Sequence, residues 1–170
     1  MSEQQLEFWL RGPVPGITGA LQPAAHAILQ SREEIQQLLQ DFPDDLLWYR
    51  PAGLASVGFH LQHIPGVLDR LFSYANGKQL SQFQMAALQK EGVEDNDIKV
   101  STLLLQLNNQ VDIAIEQLKN TPDELLFQTR GVGRKQIPST VIGLLFHAAE
   151  HTQRHTGQLL VTAKITRSIN

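Results

Sequence analysis

The sequence predicts an all-α protein: a four-helix bundle with a crossover connection, plus a short extra helix and a small hairpin. Three observations predict it. Four long segments repeat apolar residues at three- and four-residue steps. Proline, glycine and Asn-Gly breaks separate them. Of the 170 residues, 42% are hydrophobic and 18% charged, enough apolar surface for one buried core without staples.

The first segment runs from Ile17 to Asp41, with Leu21, Ala24, Ala25, Ile28, Leu29, Ile35, Leu38 and Leu39 in step. Phe42-Pro43-Asp44-Asp45 ends it, and Arg50-Pro51-Ala52-Gly53 delays the next. The second runs from Ser56 to Tyr74 through Val57, His60, Ile64, Val67, Leu68 and Leu71, and Asn76-Gly77 stops it. Pro65, which lacks a backbone donor, should kink this helix near Leu61 and so aim His63. Gln79–Lys90 reads as the extra helix. The third long segment, Val100–Leu118, carries Leu103, Leu104, Leu107, Val111, Ile115 and Leu118. The hairpin is expected from Gln128-Thr129-Arg130 and Arg134-Lys135-Gln136-Ile137 around Gly131-Val132-Gly133. Ser139, after Pro138, is the expected N-cap of the fourth segment, Thr140–Ala163. The stretch between the second and third long helices is long enough to cross the bundle, so simple up-down-up-down topology is not assumed. One domain, residues 1–170, is expected.

Composition narrows the function classes. Fourteen Lys and Arg against 17 Asp and Glu give a net charge of −3, which argues against a nucleic-acid surface. No cysteine is present, which excludes thiolate metal sites, Fe–S clusters and cysteine nucleophiles. No apolar run approaches the ~18 residues of a membrane span. No basic segment followed by a long apolar run opens the chain, so the expected location is cytoplasmic. No inward Glu with Glu-x-x-His pairs stands on the apolar stripes, which sets aside a carboxylate-bridged di-iron centre. Gly131 and Gly133 lack the strand and helix context of a phosphate loop.

The histidines are the informative feature. Six occur, and five fall in two clusters: His60 and His63 in the second helix, and His147, His151 and His155 in the fourth. With His147 at zero on a helical wheel, His151 falls at roughly 40° and His155 at roughly 80°, beside Leu144, Ala148 and Leu159. On the second helix His60 lies within the apolar face and His63 borders it. Buried imidazoles are costly without partners. A metal ion removes that cost, because residues four apart lie about 6 Å apart along the axis and can converge on one ion. His147 with His151, or His151 with His155, can do so, joined by a third imidazole from the facing helix. The competing account is a core cluster satisfied by hydrogen bonds among the imidazoles and backbone; a pH sensor is a third. His26 stands alone, with no ligand role expected.

Two stretches resemble the DinB/YfiT-like metalloenzyme superfamily, whose members are four-helix bundles. The first is Leu47-Trp48-Tyr49-Arg50-Pro51-Ala52-Gly53 followed by Ser56-Val57-Gly58-Phe59-His60-Leu61-Gln62-His63, similar to the family's tryptophan–proline stretch with a ligand histidine seven residues after a serine. The second is His147-Ala148-Ala149-Glu150-His151-Thr152-Gln153-Arg154-His155-Thr156-Gly157-Gln158, similar to its closing histidine motif. Thr156 stands where the family commonly has arginine. The resemblance implies His63, His151 and His155 as ligands of a divalent metal ion (zinc, nickel or iron), with His60 and His147 as neighbours, and a homodimer. It also implies a small-molecule substrate and a low-molecular-weight thiol, since some relatives are thiol-dependent S-transferases. A metal-dependent hydrolase, or a non-catalytic metal- or ligand-binding bundle acting through its dimer, are the alternatives. Neither nucleic acid nor membrane is an expected partner.

Four further expectations attach to single residues. Trp48 should plug the core beside its loop. Glu150 should orient a ligand imidazole, act as a general base, or pair in solvent with Arg154, four residues on. Gly157 should permit close helix packing. Gln158 should either face the metal site or pack on a neighbouring helix.

Overall fold

The computed structural model describes residues 6–168. Five α-helices are formed: α1 (Gln22–Leu38), α2 (Val57–Ala75), α3 (Gln82–Lys90), α4 (Val100–Lys119) and α5 (Val141–Arg167). A two-stranded antiparallel hairpin, β1 (Thr129–Val132) and β2 (Ile137–Thr140), precedes α5. No helix is long and apolar enough to cross a membrane among the described residues.

The expected segments fold as helices, with shifted ends. α1 starts late because Gly19–Leu21 forms a 3₁₀ turn and Pro23, preset for a first helical turn, follows it. It ends at Leu38, and Asp41 then takes a left-handed conformation (φ 54°) that a helix cannot contain. α2 opens where expected: the Ser56 hydroxyl accepts from the Phe59 N–H at 3.1 Å. It runs through Pro65 unbroken. α3 is the extra helix, opened by a capping box between Ser81 and Gln84, and it buries none of its residues.

The hairpin forms, but its second strand begins at Ile137 and not Arg134. Gly133 (φ 67°) and Gln136 (φ 50°) make the turn, so residues 134–136 belong to it. The later strand also moves the cap of α5. Ser139 pairs with Arg130 in the ladder, and Thr140 caps the helix by accepting from the Gly143 N–H at 3.1 Å.

α5 packs against α1 and α2, and α4 packs against the same two. That arrangement puts α1 diagonally opposite α2, and α4 diagonally opposite α5. The crossing connections are therefore those from α1 to α2 and from α4 to α5. The long α2–α4 stretch, though long enough to cross the bundle, joins two neighbours and carries α3 on the outside. The core lies between the four long helices, with Ile28, Leu61, Leu68, Leu107, Leu145 and Leu159 all buried.

The α1–α2 loop is fixed against the start of α2, which is what places the histidines. Trp48 is buried, as expected, and its indole N–H donates to the Asp95 carbonyl at 2.9 Å. Its ring lies over Gly58, where an added Cβ would stand 2.5 Å from Trp48 Cζ3. Gly58→Ala should therefore destabilise the protein by about 1–3 kcal/mol through overpacking. Urea denaturation checks this, and an unchanged midpoint would contradict the packing described.

Candidate metal centre

α2 and α5 meet along their length, and their histidines meet with them. One ring nitrogen from each of His63, His151 and His155 lies within 4.8 Å of the other two. His63 Nε2 and His151 Nε2 are 3.0 Å apart. Two nitrogens each about 2.1 Å from one ion are about 3.0 Å apart at a right angle, so this spacing suits a shared ion. The His155 ring centroid lies 4.4 Å from that of His63 and 4.6 Å from that of His151.

The remaining histidines lie outside the trio. His60 is buried, and its Nδ1 faces His155 Nδ1 at 3.1 Å. His147 is exposed, with Nδ1 3.4 Å from Glu150. His26 contacts the Gly12 carbonyl at 3.1 Å, away from the cluster. The wheel placed His147 inside the apolar stripe, which is a misreading. The buried side of α5, through Leu145, Ala148, Ala149, Thr152, Thr156, Leu159 and Ala163, is centred roughly 150° round from His147 at 100° per residue. The histidines thus run along the edge of the stripe.

Glu91 is the residue the sequence reading missed. It follows α3, and its carboxylate sits between His63 Nδ1 at 2.6 Å and Arg70 Nη1 at 2.5 Å. Its side chain is only 7% exposed. Burial pushes the Glu91 carboxyl up most strongly. The hydrogen bonds from His63 and Arg70, with the charges behind them, outweigh burial and hold it below the usual carboxylate range. A charged Glu91 keeps the His63 proton on Nδ1 and leaves the Nε2 lone pair facing His151. Phe59 stacks on the His63 ring, 5.0 Å between centroids and 14° between planes. Gly92 (φ 78°) lets the chain turn tightly over Phe59 while its N–H donates to the Gln62 side chain at 2.8 Å.

Electrostatics favours neutral imidazoles. Burial, and then the His63 charge, lowers His60 to about 4. Burial, followed by His63 and His151, likewise lowers His155 to about 4, and His151 is shifted down by burial and its neighbours. Neutral rings are what a metal ion requires. His151 Nδ1 is buried without a hydrogen-bond partner. The imidazoles therefore do not satisfy one another fully, and it is the three facing nitrogens, all within 4.8 Å of one another, that fit an ion better than the core-histidine account. Three nitrogen donors suit zinc, nickel or iron.

The same shifts give a pH prediction for metal-free protein. An unfolded chain protonates His60 and His155 near about 6.5, the folded one only at about 4. In that window the unfolded state binds more protons, so stability should fall as pH drops from 6.5 towards 4. Urea midpoints at pH 7 and pH 5 check it; equal midpoints would contradict the burial described.

Two smaller expectations divide. Arg154 pairs with Glu150, its Nε 2.9 Å from Oε1. Gly157, however, packs against nothing: an added Cβ there would have no atom within 4 Å. Gln158 is exposed. Both line a cavity of about 560 Å³ that His60 also borders.

The DinB superfamily profile matches residues 27–159, a span that takes in α2, α4, the hairpin and every residue of the cluster. The chain belongs to the DinB superfamily. A conserved protein from Enterococcus faecalis has a similar structure, with a TM-score of 0.70 at 18% identity over 87% of this chain and 97% of its own. A protein from Streptococcus pneumoniae is similar at a TM-score of 0.64 and 13% identity, over 89% of this chain and 92% of its own. At those identities the two show that the DinB-like helical fold is shared. No functionally curated protein matches the chain.

Proposed function

We propose that this DinB-superfamily protein is a metal-dependent enzyme in which His63, His151 and His155 hold one divalent ion. The observation that carries the reading is three ring nitrogens, from two helices, within 4.8 Å of one another with no fourth ligand in the group. A closed set of four would favour a structural site. Here His60 is turned to His155, and His147 stands exposed beside Glu150.

When bound, the ion would supply Lewis acidity, favouring the anionic form of a coordinated thiol or water. The chain's own residues set up that capacity. Arg70 fixes Glu91, and Glu91 holds the proton on His63 Nδ1. Burial keeps His151 and His155 neutral, with lone pairs free to donate at neutral pH. Phe59, stacked on His63, restrains the ring and keeps water from its face.

Membership of the superfamily favours a low-molecular-weight thiol as the nucleophile. The reaction would be S-transfer: the thiol sulfur bonds to an electrophilic carbon of a small-molecule substrate, the leaving group departs with its electron pair, and the thiol proton passes to solvent. Conjugation assays with glutathione, cysteine and other small thiols against 1-chloro-2,4-dinitrobenzene test it. The expected result is catalysis with at least one thiol, lost on chelation and restored by added metal. One metal per chain with no conjugation would overturn S-transfer and leave hydrolysis or a non-catalytic role.

A further inference from the structure

Gly157 sits in the middle of a 27-residue helix, where glycine weakens the helix relative to alanine. A close approach would justify it, yet a Cβ at this position would meet nothing within 4 Å. The glycine therefore serves no packing. What its missing side chain does is leave space open: Gly157 forms part of the wall of the 560 Å³ cavity between residues 54–55 and α5.

That cavity is built for an apolar body. Leu54 is 64% exposed and Val161 55% exposed, so both spend their apolar surface on its walls and not on the core. Ala55 lies between the Leu54 wall and His60. His60 connects the cavity to the metal centre through its 3.1 Å approach to His155. The size is that of a small-ligand site.

Its charge is one-sided. Arg154 is the only charged residue of the lining, and no carboxylate borders the space. Glu150 engages Arg154 through Nε and Nη2, both on Oε1, and leaves Nη1 without a hydrogen bond among the described residues.

We propose that this cavity is the substrate chamber of the metal centre, kept open by Gly157, and that it takes a small, largely apolar molecule carrying one carboxylate, which pairs with Arg154. As a substrate chamber it rests on the metal-enzyme reading; as a binding site for apolar carboxylates it can be tested separately. The ligand's flat or branched apolar part lies against Leu54 and Val161, and its far end approaches His60.

The test is calorimetric titration of the full chain with 2-naphthoate and with its uncharged counterpart 2-naphthylmethanol. It is run on zinc-loaded and on chelator-stripped protein, with metal content measured in parallel. Wild type should bind 2-naphthoate saturably at one per chain, with or without metal. Gly157→Leu should weaken both probes at least tenfold by filling the chamber. Arg154→Gln should weaken 2-naphthoate at least fivefold and leave 2-naphthylmethanol unchanged. Gly157→Ala, which fills less of the space, should weaken both probes less than Gly157→Leu and should melt at a higher temperature than wild type. Should Gly157→Leu fold poorly, Val161→Trp fills the same space from an exposed position and must give the same loss. Binding that ignores both filling variants, or an Arg154→Gln effect equal for the two probes, overturns the proposal. So does a filling variant that shifts the oligomeric state and not the binding, which would make a second copy of the chain the occupant. Protein that is purified without metal and takes up no zinc, yet shows Gly157-dependent binding, sinks the metal-enzyme reading and keeps the chamber.

Discussion

His151→Ala should reduce the metal content of the purified protein from about one equivalent to near zero. His151 is central to the group: its Nε2 lies 3.0 Å from His63 Nε2, and its ring lies 4.6 Å from that of His155. Removing it leaves two imidazoles from different helices, which no longer enclose an ion. The imidazole is half-buried at the edge of the helix, so the fold should survive its loss, and the far-UV spectrum and melting should show that it does. His26→Ala is the matched control. His26 contacts only the Gly12 carbonyl, and its loss should leave metal content unchanged. Elemental analysis decides the matter. A full equivalent retained by the His151 variant, or lost by the His26 variant, would mean that the ion sits elsewhere.

Glu91→Gln should lower metal affinity by about 10–100-fold while leaving all three imidazoles in place. His63 and Arg70 bond to different oxygens of Glu91, and an amide keeps only one oxygen, so in this geometry it cannot accept from both. Whichever it abandons meets its NH₂ group, donor against donor. The His63 proton is then free to move to Nε2, the nitrogen that faces His151. Arg70, buried beside Glu91, is left without its counter-charge, which should cost about 3 kcal/mol in stability. Competition titration against a chromophoric chelator measures the first effect and urea denaturation the second. Wild-type affinity in this variant would show that Glu91 has no hold on the His63 ring.

Much of this was legible before any coordinates. The three- and four-residue steps gave the helices, because burial against a common core writes that period into the sequence. His63, His151 and His155 were reached through the closing histidine motif and the serine spacing. His147 was misplaced because the wheel was oriented by Leu144 and Thr162, which lie at one edge of the buried side. Glu91 was not legible at all. It stands in no periodic pattern, and 27 residues of chain separate it from His63; only the return of the α3 segment onto α2 brings the two together. Gly157 was read as a packing glycine since sequence cannot tell a filled hole from an empty one. That a crossover occurs was legible, but which connection makes it was not: loop length says how far a connection can reach, not which neighbour it reaches.

The outer helix gives the centre a second reporter. α3 contributes nothing to the interior, so residues 82–92 are held on the bundle by polar ties: Gln84 to Ser73, Gly92 to Gln62, and Glu91 to His63 and Arg70. A segment anchored in that way opens at little free energy, and its amide hydrogens exchange early. Whatever tightens the His63–Glu91 bond slows that exchange, and whatever loosens it speeds it, so deuterium uptake along this stretch follows the occupancy of the imidazole cluster from the outside of the molecule.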